Sequence, residues 1–116
     1  MKVLRITRHE ATKEQHDELQ RIFGPNTVIT THSESLPMDP KAAVKTIDKL
    51  AISADVIEAV LPMNLLEATL RFSKFSKRGG KIIRAKMLRR ETDEGVIFEF
   101  RGYEEILEVV VETRDL

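Results

Sequence analysis

The stretch from Ala54 to Glu67, ADVIEAVLPMNLLE, decides how the rest of the chain is read. Its first half is rich in β-branched and apolar residues and too short for a typical helix, which is the pattern of a strand covered on both faces. Pro62 cannot continue a central ladder. Asn64, with Glu67 three residues later, reads as an N-cap and reciprocal capping pair that opens a helix. A buried strand running straight into a helix leaves backbone N–H groups at the strand's carboxyl end, where open α/β sheets hold their ligands. One wall of any site is expected here.

Toward the N-terminus, Val3, Leu4 and Ile6 make a short first strand that ends at Thr7, Arg8 and His9. Thr12 is an N-cap with Gln15 at the capping-box position, and Leu19, Ile22 and Phe23 recur at helical spacing until Gly24 and Pro25 stop the helix. Thr27 to Thr31 reads as a second strand giving way to a loop at His32, Ser33, Glu34 and Ser35. Asp39 caps a helix with Pro40 at its first position, and its inward stripe is Ala43, Val44, Ile47, Leu50 and Ala51. Helices are thus predicted over residues 12 to 23, 40 to 52 and 64 to 78, the last ending before Gly79 and Gly80.

Three strand and helix pairs with short connections predict a parallel sheet with right-handed crossovers. Beyond Lys81 the pattern alternates instead. Ile83, Ala85 and Met87 oppose Arg84, Lys86 and Arg90, while Val96, Phe98 and Phe100 oppose Ile97, Glu99 and Arg101, with a reversal at Thr92 to Gly95. Tyr103 to Glu105 reads as a turn before a last strand at Leu107 to Glu112. The expectation is one α/β domain over residues 1–116 with a Rossmann-like three-layer fold. Its open sheet of about six strands would be mainly parallel, with a C-terminal antiparallel hairpin. Leu19, Ile22, Phe23, Val28, Ile47, Leu50, Val56, Ile57, Val60, Leu66 and Leu70 are the expected core.

Composition narrows the chemistry. No segment has the apolar length that crosses a bilayer, and Met1 and Lys2 run directly into the first strand, so a cytoplasmic chain without membrane contact is expected. Cysteine is absent, which removes disulfides, thiolate nucleophiles and thiolate metal sites. The three histidines, His9, His16 and His32, lack metal-ligand spacing, so neither a metal nor a cofactor is expected. A net charge of +0 argues against binding duplex nucleic acid through the overall field. The basic run from Arg71 to Arg90 is explained by cations at a helix C-terminus and by strand residues Arg84 and Lys86 sharing a face with Glu99.

Candidate site residues cluster at strand exits. In a 2-1-3-4 strand order, Thr7, Arg8 and His9 flank the same crevice as Pro62, Met63 and Asn64, because the two connections leave to opposite faces. A cation, an imidazole and a helix N-terminus together suit an anion, most naturally a phosphate. The plainer reading of Thr7 to His9 is a polar strand exit with one local hydrogen bond at His9. His32 and Ser33 form the outer rim, where a solvated loop is the preferred reading.

A first strand ending Thr7-Arg8-His9, followed by a middle strand ending Val60-Leu61-Pro62-Met63-Asn64-Leu65-Leu66, resembles small stand-alone CRISPR-associated proteins of the Rossmann-like, cyclic-oligoadenylate-binding kind, some of which are ring nucleases. The helix and strand between these motifs, and the C-terminal hairpin, do not follow the family pattern; Leu19 and Phe23 stand where an aromatic residue is associated with the family's first helix. The resemblance implies that Thr7, Arg8 and His9 contact phosphate or ribose, and that Asn64 and the backbone around Met63 form the opposite wall. It implies metal-independent cleavage in which a ribose 2′-hydroxyl attacks its own phosphate, with Arg8 and His9 in the catalytic roles. A symmetric ring ligand would favour a two-fold homodimer. The alternative expectation is a non-catalytic module that binds a nucleotide, an anion or a protein partner.

Overall fold

The structure, a computed structural model, describes residues 1–110 and 113–116. Strands β1 (Lys2–Ile6), β2 (Val28–His32) and β3 (Val56–Ala59) alternate with helices α1 (Lys13–Phe23) and α2 (Pro40–Leu50). Helices α3 (Met63–Phe72) and α4 (Lys74–Lys77) then lead into the long strands β4 (Lys81–Thr92) and β5 (Gly95–Glu105). The sheet order is β2-β1-β3-β4-β5; neighbours are parallel from β2 to β4, and β5 runs antiparallel to β4. The mixed α/β architecture and the terminal hairpin are those read from the alternation change at Lys81.

Side-chain alternation splits the strands between two layers. Leu4, Ile6, Ile57, Ala59 and Ile82 face α2 and α4, meeting Ile47, Ala51 and the fully buried Phe75, with Leu66 and Leu70 of α3 packed against them. Val3, Val56 and Ile83 face the other way, onto Leu19 and Phe23 of α1, with Ile29 and Tyr103 alongside. One helix therefore covers one face and three cover the other. α1 is closed at its start by the full Thr12–Gln15 capping box, and α2 by the Asp39 side chain with Pro40 at its first position. Asp48 of α2 accepts from the N–H groups of Lys74 (3.1 Å) and Phe75 (3.2 Å), a cap for α4 supplied by a neighbouring helix. Among the described residues no helix is long and apolar enough to cross a membrane.

The structure corrects several expectations. The sheet holds five strands among the described residues, because Tyr103 to Glu105 extends β5 where a turn was expected. Arg101 and Gly102 both lie opposite Lys86, and Gly102 takes φ 98°, so a β-bulge absorbs the irregularity and the ladder resumes at Ala85 and Tyr103. Ile106 closes on the Ile82 carbonyl at 2.8 Å, and Leu107 to Val110 then carry no strand; Val111 and Glu112 lie outside the described residues. Glu99, opposite Leu88, does share a face with Arg84 and Lys86, but the ion pairs on that face are Arg84 with Glu104 at 2.6 Å and Glu99 with Arg90 and Arg101.

The N-cap of α3 lies two residues earlier than the expected Asn64. The Pro62 carbonyl accepts from Leu65 and Leu66, so Pro62 is the N-cap, no side chain caps the helix, and Asn64 sits inside its first turn. Glu67 pairs with Arg71 at 3.1 Å instead. Three expected core residues are exposed: Val60, because β3 ends at Ala59; Val28, at the start of the edge strand β2; and Ile22, because α1 packs through Leu19 and Phe23. Leu50, Leu66 and Leu70 are half-buried at the margin of the larger cluster.

Candidate functional site

The site is built on a charged pair inside the sheet. Arg5 and Glu58 are register partners on β1 and β3, so both side chains leave the same face, and both are buried. The guanidinium grips the carboxylate through two bonds, Nε to Oε1 at 3.1 Å and Nη2 to Oε2 at 3.3 Å. Its remaining donors are also engaged: Nη1 donates to the His9 carbonyl at 2.8 Å and Nη2 to Gln15 Oε1 at 3.3 Å. Gln15 in turn accepts from the Thr12 N–H at 3.1 Å as part of the α1 capping box. One buried cation thus ties together two strands, the start of α1 and the loop after β1.

Tyr103, delivered to this face by the β5 bulge, lies beside the pair. Its phenolic oxygen is buried near the Glu58 carboxylate without completing a hydrogen bond to it. Burial first, and the Glu58 carboxylate second, push the phenol well above its ordinary pKa.

Two concavities open where β1 and β3 end, separated by a lip of Thr7, His9, Val60 and Leu61. The first, about 430 Å³, lies between the β1 exit, the loop after β2 and the start of α3. Arg8, His9, Ser33 and Ser35 supply its polar groups, Glu34 is the acid in its wall, and Leu36, Val60, Leu61, Pro62 and Leu65 supply apolar surface. Arg8 is positioned by a hydrogen bond from Nη2 to Ser35 Oγ at 3.2 Å, which joins the two strand exits. The backbone of His9 is held twice, by Arg5 at its carbonyl and by Thr7 Oγ1, which accepts from its N–H at 3.4 Å. Its ring remains exposed. The second concavity, about 500 Å³, is floored by Arg5 and Glu58 on the α1 side and bounded by Leu66, Arg84, Met87 and Ile106.

The crevice brings together Thr7, Arg8, His9, Ser33 and Pro62, five of the residues singled out from the sequence. It does not include His32, half-buried as the last residue of β2, nor Met63 and Asn64, whose exposed side chains project from the first turn of α3. The opposite wall is made by Val60, Leu61, Pro62 and Leu65, and Met63 faces a separate hollow with Leu66, Arg84 and Glu104. The Pro62 carbonyl takes the Leu65 and Leu66 N–H groups, and with no side-chain cap the N–H groups left for another acceptor are those of Met63 and Asn64, beside the crevice rather than in its wall.

Arg5, Glu58 and Tyr103 escaped the sequence reading. The signal was one charge in each of two otherwise apolar strands, Val3-Leu4-Arg5-Ile6 and Val56-Ile57-Glu58-Ala59, of opposite sign and in strands expected to be neighbours. No group of histidine, cysteine or carboxylate side chains among the described residues is arranged to hold a metal. Comparison with known proteins gives no match, whether to a family model, to a curated protein or to a solved structure.

Proposed function

We propose that this chain binds a phosphate-bearing nucleotide in the crevice between the β1 and β3 exits, with a cyclic oligoadenylate as the ligand class. The observation that carries this reading is Arg8, fixed by Ser35 on one wall of a concavity whose other wall is the uncapped start of α3. An anion there meets a charge-assisted donor from one side and the positive end of the α3 dipole from the other. The oligoadenylate assignment rests on the resemblance of the two strand-exit motifs. Such a ligand is met in the cytoplasm, and a ring with an even number of adenylates has a two-fold axis that suits a dimer.

Cleavage is the second part of the reading. The 2′-oxygen of a ribose attacks the adjacent phosphorus, the bond to the leaving 5′-oxygen breaks, and a 2′,3′-cyclic phosphate forms. The proton leaving the 2′-oxygen passes to His9, and the 5′-oxygen takes one from water. Arg8 faces the charge that develops on the phosphate, and the doubly held backbone of His9 fixes where its imidazole starts.

Calorimetric titration with cyclic tetra-adenylate, alongside chromatography of the products, tests both parts. Arg8→Ala is expected to weaken binding. His9→Ala is expected to keep the ligand while turnover falls by about a hundredfold to ten-thousandfold. Binding without turnover in the wild type leaves a non-catalytic sensor, and no heat with any cyclic oligoadenylate removes the ligand class.

A further inference from the structure

The outer half of the β4–β5 hairpin is built as though another element should cover it. Met87, Val96 and Phe98 are 49%, 47% and 62% exposed, and Leu88 and Ile97 are exposed on the opposite face. A two-stranded ribbon in water is marginally stable alone, and apolar residues on both faces make it a poor end for a sheet. The radius of gyration, 15.4 Å, exceeds the roughly 13 Å of a compact chain of this length, as a projecting arm requires. Among the described residues β5 pairs only with β4, so its other edge is open.

We infer that two copies of this chain associate through β5, edge to edge and antiparallel, about a two-fold axis at Phe98. In that register Val96 lies opposite the partner's Phe100, Phe98 opposite the partner's Phe98, and Ile97 opposite the partner's Glu99. Val96, Phe98 and Phe100 share a face, since their partners on β4 are Glu91, Arg89 and Met87. Pairing therefore forms one apolar strip of aromatic and β-branched cross-strand pairs, flanked by Met87 from each copy. Gly95 falls opposite the partner's Arg101, which brings the acidic turn at Asp93 and Glu94 to that guanidinium, twice by symmetry.

Charges on an edge strand usually discourage such pairing. Here Glu99 and Arg101 already neutralise each other at 2.9 Å within one chain. The bulge at Gly102, which would interrupt a second ladder, lies just beyond the last residue this register uses.

The chain contains no cysteine, so a single introduced thiol reports on the axis directly. Sedimentation equilibrium of the wild type should give twice the chain mass, and Phe98→Asp should give the chain mass with an unchanged circular dichroism spectrum. Phe98→Cys should oxidise to a covalent dimer, because residues facing each other across antiparallel strands are about 4.5–5.5 Å apart at Cα, within disulfide reach. Glu91→Cys, on the same face but on the inner strand, should not. A monomeric wild type, a dimer that survives Phe98→Asp, or equal cross-linking at the two positions overturns the interface. The crevice reading stands apart from this outcome, since a monomer that binds cyclic oligoadenylate through Arg8 would remove the interface alone.

Discussion

Arg5 shows how much one residue can organise. Its desolvation is offset only because every nitrogen has an acceptor, two of them on the Glu58 carboxylate. Removing one partner strands the other: Glu58→Ala should cost about 3–5 kcal/mol in chemical denaturation. The double change Arg5→Met, Glu58→Leu should recover most of that loss, because a buried pair and a packed apolar pair are often near equal in stability. It should not recover ligand affinity, since the His9 carbonyl loses its anchor. Recovery of both would reduce Arg5 to packing.

Tyr103 gives a pH test at the same scale. Its folded pKa is raised above the ordinary 10.0, so between the two values the unfolded chain has lost the proton while the folded chain retains it. Stability is then present in full below pH 10 and declines as pH rises past it. Wild-type melting temperature should fall above that pH more steeply than in Tyr103→Phe. At neutral pH the same variant should be within about 1 kcal/mol of wild type, because the hydroxyl it deletes has no completed hydrogen bond.

Among the elements, capping accounts for where the sequence was legible and where it was not. Thr12 with Gln15, and Asp39 with Pro40, are local signals, and both helices begin where those residues place them. Asn64 with Glu67 carries the same local pattern, yet Pro62 takes the cap because its fixed φ and free carbonyl already start the turn. The tertiary cap from Asp48 to α4 has no local signature, nor has the bulge that carries β5 through Tyr103. Gly80 is a further case. A Cβ there would lie 2.5 Å from the buried Phe75 ring, so the residue read as a helix stop is also a close-approach position. Gly80→Ala should destabilise by about 1–3 kcal/mol in urea, as overpacking does. Gly79→Ala, whose Cβ meets nothing within 4 Å, probes only the backbone cost of φ 87°, and a larger loss there would contradict the packing explanation.

For the molecule as a whole, the parallel sheet and its terminal hairpin were readable because each apolar run is short, each helix amphipathic and each connection brief, whereas strand order was not fixed, and 2-1-3-4 was one arrangement such a sheet allows. The β1 half of the crevice needs only a parallel sheet, since Thr7, Arg8 and His9 emerge at the carboxyl edge of β1. Of its far wall, only Pro62 was placed from the sequence. Which face of α3 turns to the crevice depends on where the helix starts, and Met63 and Asn64 were assigned from a cap two residues away from the real one. The buried Arg5–Glu58 pair was hidden for another reason: pairing across β1 and β3 depends on register, which no single strand specifies.

The proposed ligand enters at the strand exits on the Arg8 side, and amide chemical-shift mapping during titration with cyclic tetra-adenylate tests this. The largest changes are expected on Thr7 to His9, Ser33 to Ser35 and the first turn of α3 from Met63 to Leu65, and Arg8→Ala should abolish them together. Changes confined to the β4–β5 hairpin, or to the Arg5–Glu58 hollow with the crevice silent, would contradict it.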